Sequence, residues 1–147
     1  MYNAHLASLH FKKDDYKFLE EITQVETSEQ MKGIRQIAER AKVAYEKRAK
    51  QAQVIADHIA ESPFPVVVCG DFNDTPFSYS YHTISENLKD AFVESGSGIG
   101  ATYIGKFSPF RIDYILHSES LNSSSFETIP EELSDHYPII CNIKLRN

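Results

Sequence analysis

Three polar clusters fall where strands are predicted to end: Asp71 and Asn73 after a run of valines, Asp113 within Arg111-Ile112-Asp113-Tyr114, and Asp135-His136 before the last apolar alternation. His5, on the first predicted strand, adds a second imidazole. Histidines, carboxylates and a carboxamide on strands or the loops leaving them can do acid–base chemistry on a polar substrate, and ligands in layered α/β folds gather at such strand ends. Asp71 and Asn73 alone are also ordinary turn residues, because both types hydrogen-bond their own backbone. Asp113 demands more. A carboxylate in an apolar strand is costly unless paired, and His136 is its natural partner. An Asp on the far nitrogen of an imidazole fixes its tautomer and raises its basicity, as a general base requires.

The elements that must position these residues are legible along the chain. Asn3 to Phe11 is β-compatible and predicts a short strand, followed by a polar stretch, Lys12 to Glu26, without a period. Thr27-Ser28-Glu29-Gln30 matches a capping box, so a helix should start there. Met31, Ile34, Ile37/Ala38, Ala41, Ala44/Tyr45, Ala52, Ile55 and Ile59 then recur at helical spacing. Lys32, Arg35, Arg40, Lys42, Lys47, Arg48 and Lys50, set against Glu39 and Glu46, read as the solvated face of that helix. Ser62-Pro63 ends it.

Pro65 to Cys69 is a continuous β-branched run and predicts a buried central strand, closed by the turn residues Gly70 to Pro76. Ser78 to Asn87 predicts a short helix capped by Ser78. Ser95-Gly96-Ser97-Gly98-Ile99-Gly100 superficially resembles a dinucleotide loop, but no strand precedes it and no helix follows, so it reads as a loop. Arg111 to Leu116, Ser123 to Thr128, and the alternation Ile139, Cys141, Ile143, Leu145 predict three more strands. Interleaved strands and helices without a repeat give an α/β or α+β layered architecture.

Composition bounds the function. Of 147 residues, 41% are hydrophobic and 24% charged, ordinary values for a folded domain. The formal charge of −6 and pI near 5.5 disfavour a broad electrostatic grip on nucleic acid. Cys69 and Cys141 both sit in apolar runs and read as buried free thiols. No apolar run is long enough to cross a membrane, and Met1 to Leu6 lacks the basic and apolar regions of a signal peptide, so the chain is expected to be soluble, its location otherwise open.

Gly70-Asp71-Phe72-Asn73, Arg111-Ile112-Asp113-Tyr114-Ile115 and Ser134-Asp135-His136-Tyr137-Pro138-Ile139, in that order, resemble the C-terminal signature motifs of the endonuclease/exonuclease/phosphatase (DNase I-like) family. Asn3-Ala4-His5-Leu6 is similar to the Asn-x-His-Leu strand that precedes them in the family. The wording of the motifs is closest to bacterial members. The resemblance implies one half of a four-layered β-sandwich flanked by helices, and hydrolysis of a phosphodiester or phosphomonoester by in-line attack of water with Mg²⁺ or Mn²⁺. By motif position, His136 oriented by Asp113 is the base or the phosphate-polarising imidazole. Asp71 positions or deprotonates the water or assists the leaving group, and Asn73 and His5 donate to charge developing on phosphorus. Asp135, with Asp71 and Asn73, is the expected metal site, and Asn3 and Arg111, inside the matched motifs, the expected substrate contacts. A nucleic acid, a small phosphodiester and a phospholipid headgroup are all substrates the family takes.

One departure qualifies these expectations. The family's N-terminal half carries an Asn on its first strand and then the principal metal-binding Glu. The present sequence starts at the fourth of the family's strands, and Glu20, Glu21, Glu26 and Glu29 stand in the wrong order to replace that Glu. The expectation is therefore a partial domain over residues 1–147, the C-terminal portion of a longer protein, with a sheet left open for a second copy to cover. A non-catalytic binding or assembly module is the alternative reading of the same residues.

Overall fold

A computed structural model describes residues 1–9, 15, 17–18, 27–105 and 109–146. Two of its strands run parallel, β1 (Tyr2–His5) and β2 (Val67–Asp71), and parallel neighbours need a crossover, which the 33-residue helix α1 (Ser28–Ala60) supplies. Thr27 caps α1 with both halves of the expected box: its hydroxyl accepts from the Gln30 amide, and the Gln30 side chain accepts from the Thr27 amide. The first strand is shorter than the sequence suggests. It ends at His5, and residues 10–11 of the predicted strand, like most of the polar stretch after it, lie outside the described residues.

After β2 come α2 (Tyr79–Ser85), capped by Ser78 as expected, then β3 (Leu88–Asp90) and α3 (Ala91–Ser95), both unpredicted. β3 is only three residues long and carries no alternation to read. The chain closes with β4 (Asp113–Ser118), β5 (Leu121–Thr128) and β6 (Ile139–Leu145); β4 is shifted by two residues from its predicted bounds, and β5 starts two residues earlier than predicted and ends where expected. The glycine tract follows α3, whose C-cap is Gly96, and opens no helix.

Four strands form one sheet in the order β1-β2-β4-β3, and β5 pairs with β6 in a second. Alternation divides the four-stranded sheet cleanly. Leu6, Val66, Val68, Phe72, Tyr114 and Leu116 turn to one side, where Ala52, Ile55 and Ile59 of α1 and Ile84 of α2 cover them. Val67, Cys69 and Ile115 turn to the other and meet α3 and the β5–β6 sheet through Ala91, Phe126, Ile139, Cys141 and Ile143. The result is a layer of helices, a four-stranded sheet and a two-stranded sheet, a mixed α/β fold. Both cysteines are free and half-buried between the two sheets, so the expectation of free thiols holds while that of full burial does not.

Candidate active site

The register of the four-stranded sheet sets three functional residues side by side. His5 lies opposite Asp71 across β1 and β2, and Asp71 lies opposite Asp113 across β2 and β4. Directly opposed residues share a face of the sheet, so the three project together on the side facing the second sheet. Gly70 makes this row possible: it has φ +150°, and a Cβ there would collide with the carbonyl oxygen of Ala4 on β1.

His136 comes from the approach to β6. Its amide donates to the Ser134 hydroxyl, the neighbouring Tyr137 amide donates to Thr102, and the Ile104 amide donates to the carbonyl of Asp135. Its Nδ1 lies 2.8 Å from Asp113 Oδ2, the pairing the sequence suggests. Tyr103 meets the His136 ring edge-on at 5.3 Å between centroids. Thr102, fully buried, accepts at its hydroxyl from the amides of Ile112 and Asp113 and so fixes the start of β4. Neither Thr102 nor Tyr103 carries a sequence signal; the long-range bridge from Tyr103 to His136 is what brings them in.

Asn73 sits at φ +52°, a left-handed conformation that Asn tolerates better than most residues. Its amide donates to Asp71 Oδ1 at 2.7 Å, and its side-chain nitrogen donates to Asp71 Oδ2 at 2.9 Å and to the carbonyl of Leu6 at 3.0 Å. Both hydrogens of that side-chain nitrogen are thus engaged within the protein, and Asn73 holds the Asp71 carboxylate in position. His5 Nε2 lies 3.5 Å from Asp71 Oδ2, with the imidazole 74% exposed.

Asp71, Asp113 and His136 offer ligand atoms all within 4.8 Å of one another. Burial raises the pKa of Asp71, and the charge of Asp113 adds to that against the pull of the Asn73 amide, His136 and His5. For His136, burial opposes the charged ring, but the hydrogen bond and charge of Asp113, with Asp71 and Asp135, outweigh it and raise the pKa. Two carboxylates held side by side, with an imidazole beside them, offer donors that fit a divalent cation. Asp135 is exposed and stands outside the group of three, acting on His136 through its charge.

The remaining expected residues divide. Asn3 is exposed on the same face as His5, opposite Cys69. Arg111 is enclosed: its Nη1 donates to Asp90 at 2.6 Å, its side chain is 9% exposed, and it stacks on Phe92 at 4.6 Å and on Tyr114 at 4.9 Å. A guanidinium so enclosed holds β3 against the loop before β4. Arg48 is a correction, since it belongs to no solvated face: its side chain is 0% exposed and donates to Asp74 and to the carbonyl of Ala7. Its position carries a signal nonetheless, four residues from both Ala44 and Ala52 in the apolar stripe of α1.

The profile of the Endonuclease/Exonuclease/phosphatase family matches residues 10–136. An endonuclease/exonuclease/phosphatase from Bacteroides vulgatus is 31% identical, with a TM-score of 0.58 over 70% of this chain and 46% of its own. The human Nocturnin catalytic domain with bound sulfate is 24% identical, with a TM-score of 0.54 over 74% of this chain and 42% of its own. A functionally unknown conserved protein from Enterococcus faecalis V583 is 17% identical, with a TM-score of 0.62 over 71% and 46%. The last two likenesses speak for the fold alone. The chain spans less than half the length of each of these structures. No curated protein matches it.

Proposed function

The chain belongs to the endonuclease/exonuclease/phosphatase family, and we propose that its site hydrolyses a phosphoester by in-line attack of water. The observation that carries this reading is the row His5–Asp71–Asp113 with His136 closing on Asp113 at 2.8 Å. Hydrolysis needs a base for the water and donors for the equatorial oxygens. His136 is the base: Asp113 holds Nδ1 and the tautomer, leaving Nε2 to take the proton. His5, exposed beside Asp71, donates to the phosphoryl oxygens as charge grows on them. Asp71, immobilised by Asn73, aligns the water, and Asp135 adds negative charge that strengthens His136 as a base.

Asp71, with the carboxamide oxygen of Asn73 and with Asp135, which precedes His136 in the chain, would hold Mg²⁺ or Mn²⁺. When bound, such a cation neutralises charge on the phosphoryl oxygens and on the leaving group. The substrate is a phosphomonoester or phosphodiester, with nucleic acid, a small diester and a phospholipid headgroup as the classes to try. The experiment is release of p-nitrophenol from the bis- and mono-p-nitrophenyl phosphates. Turnover that EDTA abolishes and Mg²⁺ or Mn²⁺ restores supports the proposal. Turnover indifferent to EDTA overturns its metal component, and no turnover of either ester by the chain or by its longest reading frame overturns the whole.

A further inference from the structure

We propose that Arg48 and Gln51 of α1 are positioning residues for this site, gripping from behind the sheet the two segments that carry His5 and Asn73. The inference rests on the phosphoesterase reading for its effect on rate and on geometry alone for its effect on structure.

Ala7, two residues beyond His5, is held at both backbone atoms by one helix. Its amide donates to Gln51 Oε1 at 2.9 Å, and its carbonyl accepts from Arg48 Nη1 at 3.0 Å. Residues three apart share a helix face, so the two side chains act as one clamp. Arg48 Nε also donates to Asp74 Oδ2 at 3.1 Å, and Asp74 directly follows Asn73. Asp74 is fastened from other directions too, its carboxylate by the Thr75 amide and its carbonyl by the Tyr114 hydroxyl. Between the gripped residues lies the seam of the site: the Leu6 amide donates to the Asp71 carbonyl at 2.9 Å, and the Leu6 carbonyl accepts from Asn73 Nδ2 at 3.0 Å.

Stability alone is a poor reason for this arrangement. A fully buried guanidinium loses its hydration, and apolar residues replacing a buried ion pair are often neutral or stabilising. Here the pairing is also incomplete, because Arg48 Nη2 has no hydrogen-bond partner among the described residues. What the pair does provide is a fixed position for Asn73, whose left-handed backbone persists only where its surroundings determine it. Release of Ala7 and Asp74 would let His5 and Asn73 drift from Asp71, and displacements near 1 Å can cost about 100-fold in rate.

The test replaces both buried partners, Arg48→Met with Asp74→Leu, so that no lone charge is left inside, and separately makes Gln51→Leu at an exposed position. Thermal unfolding, the Asn73 side-chain amide resonance, and kcat and KM for bis-p-nitrophenyl phosphate are measured for each. The double variant should unfold cooperatively near the parent Tm, with the Asn73 resonance moved toward that of a free amide. Its kcat should fall about 100-fold while KM stays within about threefold, and Gln51→Leu should lose about tenfold. Arg48→Lys should recover part of the loss seen in Arg48→Met. A folded double variant with an unmoved Asn73 resonance overturns the clamp, as does a kcat lowered only by the unfolded fraction. If the double variant does not fold, Gln51→Leu decides, its Asn73 resonance moved or unmoved. If the parent hydrolyses nothing, the phosphoesterase reading fails while the Asn73 resonance still tests the clamp.

Discussion

His136 is where the proposed chemistry is most exposed to a test of sign. Burial disfavours the charged ring, yet the Asp113 hydrogen bond and the charges of Asp113, Asp71 and Asp135 hold its pKa above the ordinary 6.5. A base must be neutral to act, so activity should rise with pH as it passes through that raised value and be lost below it. Asp113→Asn removes the leading raising causes, and the acid limb of the kcat profile should move to lower pH while kcat falls about 1000-fold at its plateau. A limb that stays in place contradicts the Asp113–His136 assignment. At this scale the sequence was generous: His5, Asp71, Asn73, Asp113 and His136 converge as their motifs suggest. It misled on Arg48, because a charged residue reads as solvated until a partner is seen, and Asp74 lies 26 residues away; nor did it show that Arg111 pairs with Asp90, 21 residues before it.

Among the elements, the parallel pairing of β1 with β2 decides whether His5 reaches Asp71 at all. That pairing passes through Gly70, whose missing side chain admits the Ala4 carbonyl. Gly70→Ala should destabilise the protein by about 3 kcal/mol, seen as a lower urea midpoint, and should separate β1 from β2. An unchanged midpoint would mean that the strands approach less closely than described. The long helix was readable because its capping box and its apolar stripe agree with each other. β3 and α3 were not, since three residues and five residues are too few for a period to show. Their existence depends on tertiary contacts, chiefly the Arg111–Asp90 ion pair and the seating of Ala91 and Phe92 against the second sheet.

Across the whole molecule, Glu94 fastens the two sheets together. Its carboxylate lies 2.8 Å from the Ser123 hydroxyl on β5, 3.1 Å from Lys89 Nζ on β3 and 2.9 Å from His117 Nε2 on β4. Burial pushes its pKa up, but the hydrogen bonds from Ser123 and Lys89 and the neighbouring His117 outweigh that and hold it at about 2, against 4.5 unperturbed. A depressed carboxylate contributes stability that is present above its unfolded pKa and lost as pH falls through the folded one. Urea midpoints should therefore decline between pH 4.5 and about 2, and Glu94→Gln should lower the midpoint at pH 7 and flatten that decline. A decline of equal steepness in the variant would remove Glu94 as its source. The layered fold that Glu94 closes follows from interleaved helices and strands, whereas the stacking of β5–β6 on one face depends on contacts between distant segments, such as Ile115 with Phe126.

The central claim is that His136, oriented by Asp113, activates water at a phosphoester. The most direct measurement is hydrolysis of bis-p-nitrophenyl phosphate with Mg²⁺ or Mn²⁺ by the parent and by His136→Ala, both checked for cooperative unfolding. The parent should turn the diester over, and the variant should lose at least about 100-fold in kcat at unchanged stability. A folded His136→Ala protein as active as its parent would contradict the claim.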